Sequence, residues 1–99
     1  MKKLAVLISN KGIGTNLQAI IDATKSKKIN AQITAVISDT TDAFGLKRAK
    51  KHKIPIKISP KKENLLKILK KISPDYICLA GWKQIITDEV IDTFQNNIF

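Results

Sequence analysis

The sequence predicts an α/β fold of three layers, α/β/α, built around a mostly parallel sheet of about four strands. Three observations carry this. Short apolar runs rich in Ile and Val alternate with segments whose apolar residues recur at helical spacing. The cycle is not interrupted by a linker, a low-complexity stretch or a change of composition. Finally, 99 residues with 43% hydrophobic and 26% charged side chains suffice for one core and not for two, so residues 1–99 form a single domain.

Lys3 to Ile8 is the first strand, a short apolar run that ends at Ser9. The polar, glycine-bearing stretch Asn10 to Thr15 is its exit loop. From Asn16, a residue type suited to capping, Leu17, Ile20, Ile21 and Ala23 or Thr24 recur with helical period. Gln32 to Ser38 is the second strand, with Asp39 to Asp42 as its exit loop. Ala43 to His52 is a helix that offers Phe44, Leu46 and Ala49 for burial and turns Lys47, Arg48, Lys50 and Lys51 to water. Ile54 to Ile58 alternates isoleucine with Pro55 and Lys57, and the proline places it at a sheet edge. Lys61 to Ile72 sets Leu65, Leu66, Ile68, Leu69 and Ile72 on one helical face and lysines on the other. Asp75 to Ala80 is a near-continuous apolar strand of the kind covered on both faces, and its Cys78 reads as a buried thiol. Thr87 to Phe94 opens with a capping Thr and the acidic Asp88 and Glu89, a favourable helix start. With right-handed crossovers this is a Rossmann-like arrangement.

The net charge of +10 comes from 18 Lys and Arg against 8 Asp and Glu. It directs attention to nucleic acid, anionic membranes and anionic small molecules. Its make-up weakens all three. Arg48 is the single arginine, the other seventeen cations are lysines, and isoleucine is also used seventeen times. That is a compositional bias, and a solvated lysine surface explains it without a specific nucleic-acid partner. No apolar run approaches the roughly 20 residues of a membrane span, which predicts no membrane association. A lone cysteine cannot form an internal disulfide, and cytoplasm is the expected compartment. With one Cys and one His, no metal-ligand cluster of usual spacing exists, so no metal is expected. His52, among lysines at a helix end, reads as solvated or capping.

In sheets of this kind ligands sit at the carboxyl edge, first of all at the turn between the first strand and helix. That turn is Ser9-Asn10-Lys11-Gly12-Ile13-Gly14-Thr15-Asn16. Its glycines let the backbone approach an anion, and the helix start supplies N–H donors and a positive dipole end, so a phosphate suits it. The Walker pattern fails, because Thr15 and Asn16, not Lys and Ser or Thr, follow Gly14. The dinucleotide fingerprint is met in part: Gly12 and Gly14 match, Leu17 stands at the third glycine, and Asp39 is in place as the ribose-binding acid.

Three segments, in order, resemble one family. Ile8-Ser9 with Gly14-Thr15-Asn16-Leu17-Gln18-Ala19-Ile20-Ile21-Asp22-Ala23 is similar to the first loop and helix of folate-dependent phosphoribosylglycinamide formyltransferases, whose usual form is Ser-Gly-x-Gly-Ser-Asn-Leu-Gln-Ala. Val36-Ile37-Ser38-Asp39 with Asp42-Ala43-Phe44-Gly45-Leu46 resembles the family's second strand and its approach to the third. Ile77-Cys78-Leu79-Ala80-Gly81-Trp82 resembles its Val-x-Leu-Ala-Gly-Phe. The likeness runs from residue 4 to residue 86, nearly the whole chain.

The resemblance implies transfer of a formyl group from 10-formyltetrahydrofolate, as co-substrate, to glycinamide ribonucleotide in purine biosynthesis. It implies that Gly14, Thr15 and Asn16 hold the ribonucleotide's phosphate and that Lys83, Gln84, Ile85 and Ile86 line the folate pocket, largely through main chain. Lys62 stands near a family arginine that touches the folate. The family's Asn-x-His-Pro segment and later Asp find no counterpart up to Phe99. The resemblance therefore implies an amino-terminal half, truncated from a larger formyltransferase fold, inactive alone, and open to self-association or to completion by a carboxy-terminal half. Two other readings stay open at this point: a formyltransferase acting on methionyl-tRNA, and a stand-alone nucleotide- or nucleic-acid-binding module.

Overall fold

A computed structural model describes residues 1–9 and 14–99. The elements run β1 (Lys2–Ile8), α1 (Thr15–Lys25), β2 (Ala31–Ser38), α2 (Gly45–Lys51), β3 (Ile56–Ile58), α3 (Lys62–Ile72), β4 (Tyr76–Leu79) and α4 (Asp88–Thr93). The four strands form one sheet in the order β3-β2-β1-β4, and every pairing is parallel. The proline-bearing strand β3 is at the edge, as Pro55 demands.

Alternation along the strands sorts the core into two layers. On one face Leu4, Val6 and Ile8 of β1 pack with Leu17 and Ile21 of α1 and with Leu46 and Ala49 of α2. On the other, Ala5 and Leu7 of β1 meet Ile37, Ile77, Leu65 and Leu69 of α3, and Val90 of α4. Leu7, Leu69 and Ile77 are wholly buried. At roughly 1.5–3 kcal/mol for each fully buried large apolar side chain, these layers supply the main force holding the helices to the sheet. The α/β/α layering follows from the sequence periodicity.

The structure corrects three local readings. The residue that begins α1 is Gly14, in the left-handed region at φ 79°, and no side chain caps the helix, so Asn16 is a residue of its first turn rather than its cap. Phe44 is not a core residue: it is 43% exposed, with the Lys47 ammonium 5.3 Å and the Arg48 guanidinium 5.8 Å from its ring centre. Arg48, expected to face water, is half-buried and donates from Nη1 to Gln18 Oε1 of α1 at 3.1 Å.

The fourth strand also departs from expectation. Ile77 is buried, yet Leu79 is 37% exposed, and Tyr76 and Cys78 are only half-buried. Outside β4 the last residues already pair in parallel, through Ile77 N–H to the Asn97 carbonyl (2.8 Å), Phe99 N–H to Ile77 (2.8 Å) and Leu79 N–H to Phe99 (2.7 Å). Apolar grooves flank this edge on both faces. One, of about 400 Å³, is lined by Leu4, Ile20, Ile29, Tyr76, Cys78 and Phe99; the other, of about 340 Å³, by Leu79, Ile86, Ile91, Phe94 and Ile98. Desolvation in this setting raises the Cys78 thiol pKa above its ordinary value.

Candidate functional site

Parallel strands deliver their exits to one edge of the sheet, and there the polar residues of the core collect. Ser9, Ser38, Asp39 and Ser59, which follow or end β1, β2 and β3, are the buried polar residues among those described. Local bonds tie them down. Ser38 Oγ donates to the Thr40 carbonyl at 2.6 Å and accepts from the Thr40 N–H at 3.1 Å, and Ser59 N–H donates to the Ser38 carbonyl at 2.7 Å.

The start of α1 lies at this edge. The first intrahelical bond runs from Gln18 N–H to the Gly14 carbonyl at 3.0 Å. The N–H groups of Thr15, Asn16 and Leu17 precede it, and the helix has no side-chain cap and no acidic residue in its first turn. This is a positive helix end with exposed Thr15 and Asn16 beside it. Space dictates the glycine at its head: a Cβ on Gly14 would stand 2.9 Å from Gly45 Cα and 3.1 Å from Arg48 Nε. The Arg48 side chain therefore runs alongside this turn, a cation that sequence periodicity assigned to solvent. Gly12 and the rest of the expected loop, residues 10 to 13, lie outside the described residues.

The segment after β4 turns at Gly81, whose φ is 87°. It is then fastened to the exits of β1 and β2. Lys83 N–H donates to Ser9 Oγ at 2.9 Å, and Gln84 Nε2 donates to Asp39 Oδ2 at 3.4 Å. Trp82 and Ile86 pack on the α3/α4 layer. Lys83 and Ile85 are exposed, whereas Gln84 and Ile86 are half-buried. Asp39 Oδ1, Thr40 Oγ1 and Trp82 Nε1 are buried without a hydrogen-bond partner among the described residues.

The residues singled out in sequence thus collect at one edge: Gly14, Thr15 and Asn16 at the α1 start, and Lys83 to Ile86 in the segment bonded to Ser9. Lys62, exposed, opens α3 just beyond the exit of β3. Asp39 is 8% exposed and engaged with Gln84, which removes it from the role of a ribose-binding acid open to a dinucleotide. His52 is at the opposite edge: it ends α2, its Nδ1 lies 2.7 Å from Lys25 Nζ, and it lines a cavity with Met1. Among the described residues no group of three or more His, Cys, Asp or Glu is arranged to hold a metal ion, and no helix is long and apolar enough to cross a membrane.

Comparison with known proteins agrees with the fold. A family model described as formyl transferase matches residues 2–99. Phosphoribosylglycinamide formyltransferase of Haemophilus influenzae is 44% identical over 107 residues, covering 99% of this chain and 50% of the relative. The enzyme of that name from Dictyostelium discoideum is 39% identical, over 95% of this chain and 53% of its own. In the crystal structure of glycinamide ribonucleotide transformylase 1 from Symbiobacterium toebii, 50% of the chain superposes on 99% of this one with a TM-score of 0.88 at 34% identity. The chain spans about half the length of the curated relatives it matches.

Proposed function

Because the chain belongs to the formyl transferase family, we propose that it supplies the substrate-phosphate half of a phosphoribosylglycinamide formyltransferase, which moves a formyl group from 10-formyltetrahydrofolate to the amine of glycinamide ribonucleotide. The observation that carries the reading is the uncapped start of α1 at Gly14, Thr15 and Asn16. A phosphate placed there receives the first-turn N–H groups and the positive helix end, and it replaces the acidic first turn that α4 has and α1 lacks.

The folate is read onto the 82–86 segment. It brings the activated formyl group, and the chain's part is to bind and orient it. Two bonds to Ser9 and Asp39 hold the segment close to the exit of the strand that precedes α1, so main chain and the exposed Lys83 and Ile85 face the same edge as the phosphate turn. Lys62, at that edge, is a cation for the acidic end of a folate. Binding both substrates here lowers the entropic cost of bringing amine and formyl carbon together.

The proton transfer and oxyanion stabilisation of formyl transfer need groups that the described residues of this edge do not offer, since His52 is at the far edge of the sheet. We assign them to the remainder of a full-length formyltransferase, either covalently continuous or a separate chain, packing on the apolar edge of β4. Self-association there is the competing occupant. Nucleic acid has no part in this reading, the lysine faces are solvated, and the expected compartment is the cytoplasm. The test is a formylation assay of the 99-residue chain with and without an added carboxy-terminal half of a relative. Turnover only in the mixture is expected, and normal turnover by the chain alone overturns the division of labour.

A further inference from the structure

We infer that Asp39 is a positioning residue, which through Gln84 fixes the side chains that the 81–86 segment turns toward the folate. This rests on the reading that the segment meets the folate. The segment bends at Gln84, and exposure alternates along it: Lys83 and Ile85 are exposed, Ile85 at 71%, while Gln84 and Ile86 are half-buried. Two bonds set that alternation. The Lys83 bond to Ser9 uses a main-chain N–H and fixes the path of the chain, but it does not dictate which way the neighbouring side chains turn. The bond from Gln84 Nε2 to Asp39 Oδ2 does, because it draws the side chain of Gln84 inward and so directs those of its two neighbours outward.

The state of the carboxylate supports a role beyond packing. Asp39 is 8% exposed and its Oδ1 is buried with no partner among the described residues, an arrangement that costs stability. Among the described residues the Gln84 amide is the side chain that donates to it. A residue present only to fill the β2 exit would be served better by a smaller polar or an apolar side chain. The carboxylate instead reaches across from the β2 exit, past β1, to the segment that follows β4, and so couples the outer edge of the site to the middle of the sheet.

The test uses the 99-residue chain with D39A, D39N and Q84A substitutions. Two readouts are taken, amide hydrogen exchange of residues 83 to 86 and calorimetric titration with 10-formyltetrahydrofolate and, separately, ribose 5-phosphate. In D39A, exchange over 83 to 86 is expected to rise and folate affinity to fall, each about tenfold, the order of one lost hydrogen bond. Ribose 5-phosphate affinity is expected to stay unchanged. D39N keeps an acceptor oxygen and restores both values, Q84A reproduces D39A, and the double variant is no worse than either single one. Exchange in D39A and Q84A equal to that of the parent overturns the inference whatever the folate titration shows. Raised exchange in a chain that takes up no folate leaves the positioning role standing and overturns the folate reading of the segment.

Discussion

Replacing Gly14 with alanine adds one methyl group at the head of α1, and the structure allows its cost to be worked out. The residue sits at φ 79°, a conformation that costs an L side chain about 1–2 kcal/mol. The new Cβ would also stand 2.9 Å from Gly45 Cα, a backbone atom fixed at the start of α2, and 3.1 and 3.2 Å from Arg48 Nε and Cδ. Relieving that overlap means pushing α2 away from α1, an overpacking cost of about 1–3 kcal/mol. The sum is about 2–5 kcal/mol, a large part of the stability of a domain this size. Gly81→Ala is the control: its φ is 87°, but nothing lies within 4 Å of its Cβ, so it bears the conformational cost alone. Urea denaturation of both variants should place Gly14→Ala about 1–3 kcal/mol below Gly81→Ala. Two variants agreeing within about 0.5 kcal/mol would refute the close approach of α1 and α2 at this turn.

Three further outcomes are expected. Thr87→Ala removes the hydroxyl that accepts from Val90 N–H at 3.4 Å, and should cost about 1 kcal/mol in the same urea assay; no change would show the α4 cap to be idle. Cys78, its pKa raised by desolvation, should react with iodoacetamide more slowly than a free thiol at pH 8, and its rate should still be climbing above the ordinary thiol pKa of about 8.5, where a free cysteine levels off. Adding the carboxy-terminal half of a relative should protect it, because Cys78 lines the apolar groove at β4. Undiminished labelling in an active mixture would place that half elsewhere.

The strand and helix cycle could be read from the sequence because each element carries its own period. Ile54, Ile56 and Ile58 alternate, and Leu65, Leu69 and Ile72 repeat at helical spacing, whatever the rest of the chain does. Residues whose environment is set by a partner distant in sequence could not be read so. Gly14 heads α1 because Gly45 and Arg48 leave no room for a Cβ, and capping propensity alone points to Asn16. Arg48 belongs by periodicity to a solvent face, yet its long side chain reaches Gln18 of α1. Phe44, apolar by type, turns outward under two cations. The apolar run around Cys78 signals a strand covered on both faces, and β4 has the composition with full cover at Ile77 alone.

The candidate site divides in the same way. The glycine turn was visible in residues 14 to 16, because glycine followed by a helix start has a local physical meaning. The 82–86 segment was visible through resemblance, since nothing in its residue types signals a pocket. Its attachment to Ser9 and Asp39 spans 74 and 45 residues, and no pattern within the segment reports it. The buried Asp39 carboxylate is the clue that becomes readable once burial is known.

That the start of α1 takes the phosphate of the substrate is tested most directly by titrating the 99-residue chain with glycinamide ribonucleotide while following backbone amide resonances. The largest shifts are expected on Thr15, Asn16 and Leu17, and Gly14→Ala should weaken the binding about tenfold or more, as loss of charge-assisted bonds at a displaced turn requires. Shifts confined to the lysines of α3 or to the Lys25 and His52 pair, with residues 14 to 17 unmoved, would contradict it.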